Sequence, residues 1–500
     1  MKIEELDLCI SYDDVMIVPT YSEVKSRSEP STKTMVGFVE LEIPMISSPM
    51  DTVTELDMAL AMSKSGGMGI IHRFLEPKEQ AKMLSMAFNE LEATSNYTEN
   101  TANLFGTIGA AIGVGDVEFE RLKCLIDTSG KDRFTTVAID VANGFSSYMR
   151  DMIHRVRDVY GDKINIIAGN VATGDGYTFL ANAGANAIRA GIGGGCFVPG
   201  TMVLTDNGPK PIELIKIGDY VKTHTGSWKE VINTMQFSQY ENIFSVNDIK
   251  CTVNHEFYVI KKSDEHLITE ENIHHYASWV EAYSLDSDEH LLLDVDFKMV
   301  KIQYIEEIPY NGKVYDLTVK DDHSYNANGI IVHNSICETR IQTGVGIPTL
   351  STILDSVRCK SSLKNPPSII ADGGIRYPGD MAKSIAAGAD AIMVGRILAG
   401  TKETPGEVIN GKKIYRGMAS KEVQIDKRGG LKPGTCAEGV STLVDLNGSV
   451  SETLEEFKGG LLSSMTYLNA RNLHQYRQNS KLVRITSAGM DESHAFGTKK

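Results

Sequence analysis

Short, continuous apolar runs recur along the first 195 residues, and each is followed by a stretch with apolar positions at helical spacing. The runs occupy 43–48, 68–72, 105–113, 135–141, 164–170 and 186–193, and two more lie at 368–374 and 390–395. Between them sit segments such as ELDMALAMSKSGG (55–67) and YPGDMAKSIAAGA (377–389), which keep the rhythm of an amphipathic helix ending near a glycine. Strands that are apolar throughout, alternating with helices, predict a parallel sheet covered on both faces. Eight such units predict an α/β fold of the (β/α)8, or TIM, barrel kind.

The rhythm stops at Gly195 and resumes near Ser335. Between them the pattern becomes β-type alternation, as in TMVLT, YVKTHTG, CTVNHEFYVI and KVYDLTV, punctuated by Pro-Gly, Asn-Gly and Thr-Gly turns. The chain therefore reads as an all-β domain (196–334) nested in a barrel whose two parts are 1–195 and 335–500.

Composition narrows the function classes. The chain is globular, with 42% hydrophobic and 23% charged residues, and 500 residues exceed one ordinary compact domain. No stretch approaches the roughly 20 apolar residues of a membrane span, and the acidic start MKIEELDLCISYDD carries no export signal, so a cytoplasmic protein without a membrane partner is expected. A net charge of −15 argues against a nucleic-acid partner. The seven cysteines, at 9, 124, 196, 251, 337, 359 and 436, form no CxxC pair, which excludes a zinc ribbon and disfavours a disulfide framework.

The edges of the nested domain carry chemistry. Cys196 can attack the carbonyl of Gly195 and convert an amide to a thioester. Ser335 can then take over the acyl group, and Asn334 can cyclise through its side-chain amide and break the chain, with His333 beside it as proton donor. Thr252 and His255 in TVNH can polarise or protonate the first junction. With the block Cys196–Gly200, the block TVNH and the final block VYDLTVKDDHSYNANGIIVHN before Ser335, the domain resembles an intein of the Hint fold over its whole length. The resemblance implies self-excision without a cofactor and assigns assisting roles to Asp316 and His323. No dodecapeptide or HNH endonuclease motif separates the blocks, which makes it a mini-intein. Singly, each of these residues is more often structural; a Hint-like relic that no longer splices is the alternative.

Joining Gly195 to Ser335 gives IRAGIGGG-SICETRIQTGVGIP. A glycine-rich loop after the sixth strand then leads to Cys337 at the C-terminal mouth, where barrel enzymes keep their catalytic groups. Its backbone can bind a phosphate or a cation. Glycine turns after the seventh and eighth strands, Asp372-Gly373-Gly374 and Gly395-Arg396, occupy the common phosphate site of such barrels. The pattern points to a phosphorylated substrate beside a nucleophilic cysteine; the bland reading is a flexible GGG turn and a buried small Cys337.

The runs SYDDVMIVP (11–19), SSPMDTVTE (47–55), GGMGIIHR (66–73), AGNVATG (168–174), SIC-x-TR (335–340), ADGGIRYPGD (371–380) and YRGMAS (415–420) resemble the IMP dehydrogenase/GMP reductase family, across essentially all of the chain outside the insert. The resemblance implies a purine mononucleotide substrate, covalent attack at C2 by Cys337 as a thiolate, and hydride exchange with a nicotinamide cofactor. It places Thr339 near the attacking water or ammonia. Phosphate contacts fall on Ser335, Gly374, Gly395 and Tyr415, with Arg396 as an added contact, ribose contacts on Asp372, and base contacts on Met418 and Glu438. Asp140, Asn170 and Gly191 take the cofactor side. Backbone groups of Gly193, Gly195 and Cys337 form a potassium site, which Glu492, Ser493 and His494 of a neighbouring subunit complete in a homotetramer formed after splicing.

Two members of the family fit. SSPMDTVTE, GGMGIIHR, ADGGIRYPGD and VRITSAGMDESH (483–494) favour a dehydrogenase using NAD. DVANGFS (140–146), RIQTGVGIP and the lack of a CBS pair between His72 and Phe105 favour a reductase using NADPH. The segment 421–439 has no Arg-Tyr pair to activate water, leaving Arg428 and Lys427 as nearby candidates, or Thr339 with Glu438. The dehydrogenase is the preferred reading, with a non-catalytic nucleotide-binding barrel as a third.

Overall fold

The structure, a computed structural model, describes residues 9–94, 101–191, 197–239, 243–251, 255–269, 272–282, 285–308, 310, 312–320, 322, 324–333, 346–408, 411–416 and 441–485. These residues form two compact units. Among them no helix is long and apolar enough to cross a membrane.

The first unit is built on eight strands: β1 (Met45–Ser47), β2 (Met68–Ile71), β3 (Ile108–Ile112), β4 (Thr136–Asp140), β5 (Asn165–Val171), β6 (Ala187–Ala190), β7 (Ser368–Asp372) and β8 (Ala391–Val394). Each pairs in parallel with the next, and β8 returns to β1, so the sheet closes into a barrel. Each of the eight apolar runs of the sequence coincides with one strand, the one from 164 extending a residue beyond it to Val171. The run 105–113 is trimmed, because Thr101–Gly106 is helical and Phe105 packs edge-on to Phe88, ring centroids 5.4 Å apart.

Strand alternation sorts the side chains into two cores. On β5, Ile167 points into the barrel while Ile166 and Ala168 meet the surrounding helices; on β7, Ile370 points in and Ile369 and Ala371 point out. Ile46, Met68, Ile70, Ala111, Ala138, Ala187, Ala391 and Met393 complete the interior, large side chains opposite small ones. The outer core is closed by helices such as Leu56–Lys64, Pro77–Thr94, Ser147–Tyr160 and Gly174–Ala183. Ser146 and Thr173 cap the last two at their N-termini, each accepting a backbone N–H three residues on.

A hairpin of Thr34–Val36 and Val39–Leu41 plugs the N-terminal end of the barrel. Val36, Val39 and Leu41 join the interior core, Asn165 Nδ2 donates to the Val36 carbonyl (3.1 Å), and the Gly37 N–H donates to Ser368 Oγ (3.0 Å). With that end stoppered, ligands enter from the C-terminal mouth.

The second unit, from Phe197 onward, is antiparallel throughout its named strands. Its main sheet orders Met299–Lys301, His290–Leu293, Glu256–Lys261, Ile330–His333, Ser324–Ala327, Met202–Thr205, Tyr220–Lys222, Trp228–Gln239 and Gly312–Val319. Alternation again makes two faces. Phe257, Val259, Tyr325 and Val332 pack with Phe197 in one cluster, while Tyr258, Ile260, Leu291 and Ile331 pack in another. The unit therefore has a core of its own.

Candidate functional site

The charged groups of the barrel gather where β4 to β7 end. Arg189, one residue from the end of β6, is only 7% exposed. Its Nε and Nη2 both donate to Oδ2 of Asp372 (2.9 and 2.8 Å), and its Nη1 donates to Oδ1 of Asp140. Asn170 Nδ2 also donates to Asp372 Oδ2 (2.9 Å) and to the Gly191 carbonyl (3.0 Å). Burial alone would lower the affinity of this guanidinium for its proton, but the carboxylates of Asp372 and Asp140 outweigh it and raise the pKa further. The arginine is thus a fixed cation shared by two anions. Among the described residues, each carboxylate commits one oxygen to this network, leaving Oδ1 of Asp372 and Oδ2 of Asp140 to a ligand's hydroxyl or amide.

Glycine is required where β6 meets β7. Gly191 has φ +141°, and a Cβ there would sit 2.1 Å from the Asp372 carbonyl oxygen. Beyond Asp372, Gly373 and Gly374 are both left-handed (φ +99° and +76°), a path that L side chains resist. The Tyr12 ring lies under this turn, 3.3 Å from where a Gly374 Cβ would be. Tyr12 is buried, which pushes its phenol well above the ordinary range, with Ser384 donating to its oxygen (2.9 Å). After β8, a Cβ on Gly395 would meet the Tyr415 hydroxyl and Met50 Sδ, both at 2.9 Å. Arg396 follows and is exposed. Asp51 pairs with Arg416 (Oδ2 to Nη2, 2.6 Å) and braces the strand carrying Tyr415.

The structure therefore brings Asp140, Asn170, Gly191 and Asp372 into one network, sets Gly374 and Gly395 on the two adjoining turns, starts a short helix at Arg396, and brings Tyr415, on the strand Lys412–Arg416, against Gly395. Ser335, Cys337, Thr339, Met418, Arg428, Glu438, Gly193, Gly195, Glu492, Ser493 and His494 lie outside the described residues. Arg189 was missed in the sequence. Its signal was there: a charge inside an apolar run bound for a buried barrel strand must find a counter-charge.

In the second unit, Phe197, the residue after Cys196, pairs with Tyr315 (Phe197 N to Tyr315 O, 2.7 Å) and lies against His255, ring centroids 3.8 Å apart. His255 is 2% exposed. Phe257 and Tyr325 complete the surroundings of Phe197, and Val332 pairs with both of them. Asp316 is fully buried and its Oδ1 accepts from the Tyr325 hydroxyl (2.5 Å) and the Leu317 N–H (2.8 Å). Phe197 and Val332, near the two ends of the segment expected to be an insert, thus pack in one cluster with Phe257 and Tyr325. His333 is described as the last residue of its strand. Cys196, Thr252, His323, Asn334 and Ser335 are outside the described residues.

A closed parallel barrel with ionised groups and glycine turns assembled at its C-terminal mouth has the build of a barrel enzyme. The chain belongs to the IMP dehydrogenase/GMP reductase family: residues 9–217 and 329–496 match the IMP dehydrogenase / GMP reductase domain. It is an oxidoreductase of that family, similar along nearly its whole length to proteins named inosine-5'-monophosphate dehydrogenase. That of Methanocaldococcus jannaschii is 29% identical, over 99% of this chain and 96% of the relative. That of Aquifex aeolicus is also 29% identical, over 97% and 94%. The one from Thermoplasma acidophilum is 28% identical over 99% and 95%. The unmatched segment, 218–328, falls wholly inside the insert expected at 196–334.

Proposed function

We propose that the chain is the precursor of an IMP dehydrogenase, interrupted by a mini-intein of the Hint fold at 196–334. The observation that carries this reading is the split family match, whose gap falls inside an all-β unit having its own core. The convergence of Phe197 and Val332 on Phe257 and Tyr325 adds support, since excision needs the two junctions close together. Cys196 Sγ attacks the Gly195 carbonyl, breaking the amide and forming a thioester. The Ser335 hydroxyl takes the acyl group and releases the thiol. Asn334 then closes its side-chain nitrogen on its own carbonyl carbon, breaking the bond to Ser335. The freed amine finally displaces the ester oxygen, so that Gly195 and Ser335 share a peptide bond. Thr252, His255, Asp316, His323 and His333 assist.

In the joined barrel, the phosphate of IMP binds Ser335, Gly374, Gly395, Arg396 and Tyr415. Oδ1 of Asp372 takes a ribose hydroxyl, and Met418 and Glu438 hold the base. The Cys337 thiolate adds to C2 of the purine, forming a C–S bond. NAD, when bound, supplies the acceptor for the hydride that C2 carries. Oδ2 of Asp140 suits a carboxamide N–H, with Gly191 beside it through the Asn170 side chain. Water, positioned by Thr339 with Glu438 or by Arg428, attacks C2, the C–S bond breaks, and XMP leaves. Backbone carbonyls of Gly193, Gly195 and Cys337 would hold a potassium ion that steadies the loop, with Glu492, Ser493 and His494 of a neighbouring subunit completing the site in a homotetramer.

The segment 421–439, without an Arg-Tyr pair, favours a second reading, GMP reductase acting on GMP with NADPH. Intact mass of the expressed chain tests the first proposal: a 361-residue product plus a 139-residue fragment establishes excision, whereas only the 54.8 kDa chain refutes it under those conditions. Offering the product IMP with NAD, then GMP with NADPH, decides the reaction; inactivity with both leaves a nucleotide-binding barrel.

A further inference from the structure

On the second face of the β unit, away from Phe197, lies a hydrogen-bonded clasp that the splicing chemistry above does not use. Thr223, His224 and Thr225 follow the strand Tyr220–Lys222. The hydroxyls of Thr223 and Thr225 both donate to Oδ2 of Asp322 (2.5 and 2.6 Å), and Lys229 stands 3.7 Å from its other oxygen. Between the two threonines, the His224 backbone N–H donates to Ser324 Oγ (3.1 Å), and that oxygen lies 2.7 Å from His224 Nδ1. Ser324 Oγ thus bonds both the backbone and the ring of His224, which ties the imidazole to the start of the Ser324 strand. The ring is also gripped edge-on by Tyr258 and Trp279, each with centroid 5.5 Å away. Ser324 is completely buried.

Ser324 opens the strand that pairs with Ile330–His333, and its register partner is His333. The clasp therefore holds the backbone opposite the residue next to the far junction. The contacts of the first junction lie on the other face, where Tyr325 and Val332 surround Phe197.

We propose that His224 and Ser324 are positioning residues for the far junction. They hold the strand ending at His333 so that cyclisation of Asn334 proceeds, and they take no part in acyl transfer at Cys196. In that cyclisation the side-chain nitrogen bonds to the Asn334 carbonyl carbon, the bond to the Ser335 nitrogen breaks, and a proton passes from the amide to the released amine. The inference rests on the splicing reading.

The two junctions are separated in the full-length chain. A Cys196→Ala background reads cleavage after Asn334 alone, and an Asn334→Ala background reads cleavage after Gly195 by added dithiothreitol, both followed by intact mass. Ser324→Ala and His224→Ala are expected to slow the cleavage after Asn334 by about 10- to 100-fold, the scale of a lost alignment. Thiol cleavage after Gly195 should stay within about twofold. Ser324→Thr, which keeps the hydroxyl, should restore most of the lost rate. Equal slowing at both junctions, failure of Ser324→Thr to rescue, or an unchanged rate after Asn334 would overturn the assignment. If neither background cleaves before these substitutions are added, the splicing reading fails and the clasp's role falls with it.

Discussion

Replacing Arg189 by leucine removes the cation that bridges Asp140 and Asp372. Three charge-assisted hydrogen bonds disappear, and two carboxylates, 18% and 14% exposed, face each other across the mouth. Breaking a buried pair on one side costs about 3–5 kcal/mol. The residual access of water to both acids favours the low end, about 3 kcal/mol. At roughly 2–4 °C per kcal/mol for a domain of this class, the melting temperature of the spliced product should fall by about 6–12 °C. Function should suffer beyond stability, because Asp372 also loses the direction in which its free oxygen points. Steady-state assays below the new melting point should show kcat/KM down by about 100-fold, equivalent to roughly 2.7 kcal/mol, with a raised KM for the nucleotide. Arg189→Lys keeps the charge but loses the planar fork, so it should land between the two, about tenfold down. A leucine variant with unchanged melting temperature and unchanged KM would refute the idea that this arginine organises the mouth.

Three further outcomes follow from particular contacts. A Cys196→Ala, Asn334→Ala chain should show no oxidoreductase turnover, because the cysteine loop stays interrupted by 139 residues; wild-type-like turnover with IMP and NAD would contradict this. Gly191→Ala should cost about 3 kcal/mol or more in urea unfolding, since its Cβ would lie 2.1 Å from the Asp372 oxygen and its φ of +141° suits glycine alone. In the β unit, burial lowers the pKa of His290, outweighing Asp286 and Glu289, and its Nδ1 accepts the Asp286 N–H (3.1 Å). The unfolded chain then binds the extra proton first, so stability is full above the unfolded value near 6.5 and declines as pH falls below it. His290→Asn keeps an acceptor in place of Nδ1, and thermal unfolding of that variant between pH 7.5 and 5.5 should show a shallower slope; an identical slope would sink the assignment.

The β unit illustrates how a self-contained segment can share a chain with another fold. The β unit satisfies its own apolar positions, with Phe197, Val203, Phe257, Tyr325 and Val332 all buried together. A segment that buries its own core makes few demands on the strands it interrupts.

Local periodicity was enough to determine the eight barrel strands and the place where their rhythm stops, because burial on both faces or on one writes itself directly into successive residues. The family, too, was readable, from runs such as ADGGIRYPGD. What depended on tertiary structure was everything decided by closure and register. Asp372 meets Arg189 across 183 positions of sequence and Asp140 meets it across 49, a pairing that exists only once β4, β6 and β7 lie in one barrel wall. The hairpin at 34–41 became a plug only because Asn165 and Ser368 open β5 and β7 at the same end. His224 found Ser324, 100 residues away, because the strand before His224 and the strand that Ser324 opens both pair with Met202–Thr205. Periodicity tells which face a residue prefers; which partner waits there is settled by how distant strands align.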